Sequence, residues 1–161
     1  GPGAAGLCTM GARAPGGLGV NDLERIDAAL IALRHLWSAP PQIEDPALGE
    51  VEMSTIWVVD CLRRTPDQTV SDLADAMGVA HSTASRLVQR AEHSGAVVRA
   101  QDARDQRRTT VHSTEAGRAL AQTALRFRLA KLEQFTDDWA TTDRRMFATL
   151  LTRFAAGKDS S

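Results

Sequence analysis

At 161 residues, with a hydrophobic fraction of 43% and a charged fraction of 24%, the chain has the composition of one folded domain, which excludes a wholly disordered protein. The formal net charge of −1 at pH 7 argues against a uniformly basic nucleic-acid-binding protein. The charge is unevenly distributed, however: residues 1–62 carry three Arg and eight acidic residues (net −5), whereas residues 81–118 carry seven Arg and four acidic residues (net +3).

Cysteine usage and hydropathy indicate where the protein works. Cys8 and Cys61 are too few and too far apart for a disulfide framework or a CxxC metal site, so a reducing cytoplasm is expected. The apolar run Ile56–Val59 is far shorter than the roughly 20 residues that span a bilayer, and no membrane partner is expected. Residues 1–19 contain seven Gly and two Pro, which indicates a disordered tail or a remnant of an expression vector.

Apolar periodicity predicts two helices in the first part of the chain. The first is amphipathic, with Leu23, Ile26, Leu30, Leu33 and Trp37 at steps of three and four residues. A connection from Ala39 to Asp45 contains two prolines, and a second helix is expected from about Leu48 to Arg64.

Two short helices and a β-hairpin are expected next. Thr69 is placed to cap a third helix that ends near Met77, and Gly78 can adopt the left-handed conformation of a sharp turn before a fourth helix, 81–94. Strands are expected over 96–99 and 109–113, around a charged tip.

The remaining chain is expected to be helical. The pattern resumes at Thr114, and Thr141 or Thr142 is the expected cap of a last helix. The predicted fold class is therefore mainly α with a small β-hairpin wing, a winged helix-turn-helix.

The segment 70–95 has the residue spacing of a helix-turn-helix. Small or apolar residues fit the packing between its helices: Leu73, Ala74, Met77, Gly78, Val79, Ala84 and Leu87. The helix after the turn, 81–94, carries a set of hydrogen-bonding side chains with no acid among them. These are the candidate DNA contacts: Ser82, Thr83, Ser85, Arg86, Gln89 and Arg90. Arg can pair with guanine and Gln with adenine in the major groove, and a merely solvated polar face is the alternative.

The hairpin tip is rich in arginine. Arg104, Arg107 and Arg108 are candidate DNA contacts, because a narrow minor groove attracts an inserted Arg. Asp105, two positions before Arg107, is expected to orient its guanidinium. Charged hairpin tips are also commonly only solvated, but a helix-turn-helix followed by such a tip is more specific than either part alone.

These segments resemble the MarR family of bacterial transcriptional regulators. The resemblance covers roughly residues 22–156 and is strongest in VSDLADAMG, STASRLVQRAEHSG and RDQRRTTVHSTEAG. In the last of these, Asp105-Gln106-Arg107 matches the family's Asp-x-Arg wing motif. Thr114, Glu115 and Gly117 match the start of its long dimer helix.

The resemblance implies a homodimer that binds double-stranded DNA. The implied parts are an N-terminal dimerisation helix and loop (20–47), the DNA-binding domain (48–118) and C-terminal dimerisation helices (119–158). Two recognition helices would enter successive major grooves of a pseudo-palindromic site about 34 Å apart. Candidate interface residues are Leu23, Leu30, Trp37, Leu125, Leu129, Phe147, Leu150 and Phe154. Packing within a single chain is the alternative.

The resemblance further implies repression of transcription, relieved by a small-molecule effector or an oxidant, with activation as the alternative. The candidate ligand pocket comprises His35, Trp37, Trp57 and Cys61. Cys61 lies among apolar neighbours and is expected to be an inert thiol, and a thiol-based redox regulator using Cys61 is the alternative. The four His are scattered, so neither a metal nor another cofactor is expected.

Two other classes of protein are the alternatives to a DNA-binding regulator. An enzyme is not expected, because the sequence has no phosphate-binding loop, no HExxH and no nucleophile placed with a base by a known motif. A winged-helix protein-interaction module without DNA binding is the second, and the overall acidic balance favours it. Arg86, Arg90 and Arg107 argue against it.

Overall fold

The computed structural model describes residues 20–36 and 42–157. The chain divides into two units, residues 1–39 and 40–161, and we describe each by itself. In the first unit, α1 spans Val20–Leu36, as its apolar periodicity predicts. Its apolar residues Leu23, Ile26 and Leu30 are exposed. Trp37, predicted to continue this stripe, lies outside the described residues.

The second unit begins with a hairpin that the sequence did not predict. Strand β1 (Gln42–Asp45) pairs antiparallel with β2 (Gly49–Glu52). The Asp45 carboxylate closes the turn by accepting hydrogen bonds from the amides of Ala47 and Leu48, each 2.9 Å. Gly49 follows at a φ of 73°. The prediction of a helix from about Leu48 is therefore wrong over residues 48–52, because this turn and the burial of Val51 on a strand override the helical pattern.

Three helices form the helix-turn-helix core: α2 (Met53–Arg64), α3 (Val70–Met77) and α4 (His81–His93). Thr69 caps α3 as predicted, and Asp72 completes a capping box by accepting the Thr69 amide at 2.9 Å. Gly78 has a φ of 66°, the left-handed conformation predicted for the turn into α4.

The predicted wing is a hairpin of β3 (Val97–Gln101) and β4 (Thr109–Ser113). Strand β3 begins one residue later than predicted and ends two residues later. Gln68 adds an isolated bridge to Val111, whose amide donates to the Gln68 carbonyl at 2.8 Å. This bridge ties the connection between α2 and α3 to the wing.

Two further helices complete the chain, α5 (Glu115–Phe135) and α6 (Thr141–Ala156). The Thr114 side chain caps α5 by accepting the Gly117 amide at 3.0 Å. The predicted threonine cap of α6 is wrong: Ala140 occupies the cap position and Thr141 is the first helical residue.

The hydrophobic core lies between α2, α3, α4, the wing strands and the first half of α5. Its largest fully buried apolar side chains are Val51, Val58, Val59, Leu73, Val88, Val97, Val111 and Leu120. Helix α6 contributes no buried residue. Among the residues that the structure describes, no helix is both long and apolar enough to cross a membrane.

Candidate nucleic-acid interface

Helix α4 presents a polar face to solvent because its other face is fixed in the core. Ala84, Val88 and Ala91 are buried, which determines the rotation of the helix about its axis. Of the predicted contacts, Thr83 and Ser85 are half-buried and the others are exposed: Ser82, Arg86, Gln89 and Arg90. The structure thus brings the exposed members of the set onto one helix surface.

The two arginines of this face differ in their surroundings. Arg90 Nη1 lies 3.2 Å from Oε2 of Glu52, at the end of the hairpin β1–β2. Within residues 20–36 and 42–157, no carboxylate forms an ion pair with Arg86. Sequence reasoning missed Glu52, because nothing local indicates that a residue 38 positions earlier in the chain reaches the recognition helix.

The wing tip is ordered by its two aspartates. The Asp102 carboxylate accepts the amide of Arg104 at 2.8 Å, and Asp105 accepts the amide of Arg107 at 3.0 Å. The first of these bonds, aided by the charge of Arg108, holds the pKa of Asp102 below its ordinary value of 3.8.

This geometry corrects the predicted role of Asp105. Its hydrogen bond is to the backbone of Arg107 and fixes the turn, whereas the guanidinium was expected to be its partner. The side chains of Arg104 and Arg107 are exposed, and no carboxylate of the described chain pairs with either guanidinium. Both cations are therefore available to an anionic partner.

Arg108, the third predicted wing contact, is anchored within the protein. Its Nη2 lies 3.0 Å from Oδ2 of Asp72 at the start of α3, and its Nη1 lies 3.8 Å from Oδ2 of Asp102. Hydrogen bonds with Thr69, followed by Arg108, hold the pKa of Asp72 below its ordinary value of 3.8. Asp72, which completes the capping box of α3, therefore also joins the helix-turn-helix to the wing.

The predicted ligand pocket is only partly described. The side chain of His35 and all of Trp37 lie outside the described residues. Trp57 is 57% exposed and Cys61 only 5%. Burial raises the pKa of the Cys61 thiol from its ordinary value of 9.0, although Nη2 of Arg64 donates to its sulfur at 3.6 Å. This environment favours the inert thiol over a reactive one.

A cavity of about 510 Å³ lies elsewhere, between α2, β4 and the start of α5. Arg63, Asp67, His112 and Arg118 line it together with apolar side chains of the core, and neither Trp57 nor Cys61 does. In the described part of the chain, no group of three or more His, Cys, Asp or Glu is placed to hold a metal ion.

A recognition helix presented by a preceding short helix and a left-handed turn, followed by an arginine-tipped hairpin, defines a winged helix-turn-helix domain. Residues 51–109 match the model of the MarR family. The chain thus contains a MarR family domain, and the resemblance seen in the sequence is confirmed.

Solved structures share this fold at low sequence identity. A MarR family protein from Bacillus stearothermophilus has a TM-score of 0.68 and 20% identity over 88% of this chain and 96% of its own. The MarR family transcription regulator SP03579 has a TM-score of 0.67 and 22% identity over 85% of this chain and 91% of its own. Streptococcus pneumoniae FabT in complex with DNA has a TM-score of 0.59 and 20% identity over 84% of this chain and 91% of its own. No curated protein matches the chain significantly.

Proposed function

We propose that this protein is a sequence-specific transcriptional regulator that binds double-stranded DNA as a homodimer in the cytoplasm and represses transcription from a pseudo-palindromic operator. The observation that carries the proposal is a set of cations on two features of one MarR family domain, none of which has a carboxylate partner among residues 20–36 and 42–157. Arg86 stands on the recognition helix, and Arg104 and Arg107 stand on the wing tip. The structure of FabT in complex with DNA has the same fold, which supports the assignment.

The distribution of these cations suits the two grooves of B-DNA. A helix of the width of α4 fits the major groove, where Arg86 and Gln89 can donate to base edges. The narrow minor groove concentrates negative potential, which attracts the exposed wing arginines. Phosphates give affinity and base edges give specificity, so both features are needed.

The experiment that tests the proposal is selection from a randomised duplex pool, followed by the salt dependence of affinity for the enriched sequences. A palindrome with half-sites about one helical turn apart, bound with an affinity that falls steeply with salt, is the expected result. Absence of enrichment and of salt-dependent binding would reject the DNA-binding assignment and favour a protein-interaction module.

Arg107→Ala is expected to weaken binding to the selected duplex by about 1–3 kcal/mol, because the wing loses its minor-groove cation. Binding is measured by fluorescence anisotropy, and thermal unfolding checks the fold. Arg126→Ala is the matched control, since it removes the same charge from an exposed position on α5. Equal affinities of the Arg107 variant and wild type would show that the wing does not contact DNA.

Relief by a small-molecule effector is the second part of the proposal. The cavity between α2, β4 and α5 adjoins the wing. Arg118 in its lining has no carboxylate partner within the described residues, whereas Arg63 is paired with Asp60, and Arg118 therefore favours a small organic acid. A ligand there that binds the DNA-free form better would release the operator by linkage. Thermal-shift screening with aromatic and aliphatic acids tests this part, followed by operator titration with each stabilising compound.

A further inference from the structure

The hairpin β1–β2 carries an unusual concentration of negative charge. Residues 42–52 include four acids and no base: Glu44, Asp45, Glu50 and Glu52. The register places Glu44 directly opposite Glu50. Like charges at such cross-strand positions destabilise a sheet. Hairpin stability therefore does not account for this charge.

The second strand of the hairpin runs beside the recognition helix. Val51 is buried in the core and fixes β2 in place. Glu50 and Glu52 then line one open cleft of about 540 Å³ together with Arg86, Gln89 and Arg90 of α4. Two carboxylates thus stand at the edge of the surface that is proposed to meet DNA.

One of these carboxylates already forms an ion pair with a recognition-helix cation. Glu52 Oε2 lies 3.2 Å from Arg90 Nη1, and the two side chains are 46% and 59% exposed. Ion pairs this exposed are weak, so a DNA phosphate can compete with Glu52 on nearly equal terms. Arg86, one helical turn earlier, has no such carboxylate partner in the described chain.

We propose that Glu52 competes with DNA phosphate for Arg90 and so weakens the phosphate contact near the C-terminal end of the recognition helix. The inference rests on the proposed DNA binding. Because a phosphate contact carries no sequence information, holding Arg90 internally lowers affinity for every duplex and leaves the preferred sequence unchanged. Glu52 is then a residue that sets the non-specific affinity of the regulator.

The test compares Glu52→Gln with wild type on the selected duplex and on a scrambled duplex. The variant is expected to bind both duplexes about two- to fivefold more tightly, the range that an exposed ion pair supports. Freed Arg90 adds one phosphate contact, so the plot of log affinity against log salt steepens by about 0.9. Ser54 Oγ donates to Glu52 Oε2 at 3.1 Å, and the Gln carbonyl can accept the same bond, so the fold is retained.

Two further variants separate this pair from a general charge effect. Glu44→Gln removes the same charge from the neighbouring strand, outside the cleft, and should leave affinity nearly unchanged. Arg90→Gln should lower the affinity of the wild-type protein for DNA only slightly. In the Glu52→Gln background, it should abolish the gain in affinity.

Each outcome has one meaning. Three results would overturn this inference and leave the proposed DNA binding intact. They are equal gains in affinity from the Glu44 and Glu52 variants, unchanged affinity of the Glu52 variant, and a gain that survives the removal of Arg90. Weaker binding by the Glu52 variant would also overturn it, because Glu52 would then position Arg90 for DNA. Failure of the wild-type protein to bind either duplex would reject the proposed function, and the inference with it.

Discussion

Of the glycines that the structure describes, Gly117 at the start of α5 leaves the least room for a side chain. A Cβ there would overlap the carbonyl oxygen of Ala96, which also accepts hydrogen bonds from the amide and the hydroxyl of Thr114. The first turn of α5 therefore packs directly on the backbone that enters β3. The family resemblance marked Gly117, but the physical reason appears only in the structure.

Gly117→Ala is expected to destabilise the protein by about 1–3 kcal/mol, because the overlap outweighs the advantage of Ala in a helix. Urea unfolding measures the difference. Ala119→Gly, at an exposed position of the same helix, is the control and should cost about 1 kcal/mol from helix propensity alone. A gain in stability for the Gly117 variant would show that β3 and α5 separate easily.

At the scale of elements, α2 and α5 are joined by a carboxylate with several arginine partners. Asp60 Oδ1 lies 2.7 Å from Arg128 Nη2 on α5 and 3.1 Å from Arg63 Nε on its own helix. Burial alone would raise the pKa of Asp60, but these hydrogen bonds and charges outweigh burial and hold it below its ordinary value of 3.8. The carboxylate form is thus stabilised by folding.

Asp60→Asn is expected to lower the free energy of unfolding by about 1–3 kcal/mol at neutral pH, because Arg128 loses its charged partner in a partly buried site. A depressed pKa stabilises the fold above the ordinary value and loses that effect as the pH falls through the folded value. The difference in the free energy of unfolding between variant and wild type should therefore become smaller below about pH 4. Urea unfolding across this pH range measures it, with the exposed Asp138→Asn as control. A difference that is constant with pH would contradict the ionic origin.

Features formed by residues close together in the sequence were predicted, whereas contacts between residues far apart in the sequence were not. The cap at Thr69 and the turn at Gly78 are local, so residue type alone predicted the start and the end of α3. The pairs Arg108–Asp72, Arg90–Glu52 and Arg128–Asp60 join residues 36, 38 and 68 positions apart. No periodicity encodes such contacts. The hairpin β1–β2 was missed because its strands are only four residues long and its turn depends on one Asp side chain.

At the scale of the whole molecule, α6 contributes no side chain to the hydrophobic core of the described chain. Its apolar side chains are 40–60% exposed: Met146, Phe147, Leu150, Leu151 and Phe154. A contiguous apolar face of this kind is typical of a protein–protein interface. The exposed Leu129 of α5 and the exposed Leu23 and Leu30 of α1 were predicted to share in the same interface. These exposures support the proposed homodimer.

Leu150→Asp is expected to convert the proposed homodimer to a monomer, because a carboxylate would be buried between the two copies. Light scattering coupled to size exclusion measures the mass. Affinity for the palindromic duplex should fall by about 100-fold or more, since each monomer reaches only one half-site. Thr152→Asp, on the opposite face of α6, is the control. A variant that stays dimeric would place the interface elsewhere.

The wing tip has a thermodynamic consequence. The carboxylates of Asp102 and Asp105 already hold the amides of Arg104 and Arg107, and Arg108 is tied to α3, so the backbone of residues 102–108 has few conformations left to lose. Ordering a free loop would cost about 1–2 kcal/mol of entropy for each residue, whereas here the main loss is rotamer freedom, about 2 kcal/mol for each long side chain. The entropy that opposes association at the wing therefore resides in Arg104 and Arg107 themselves.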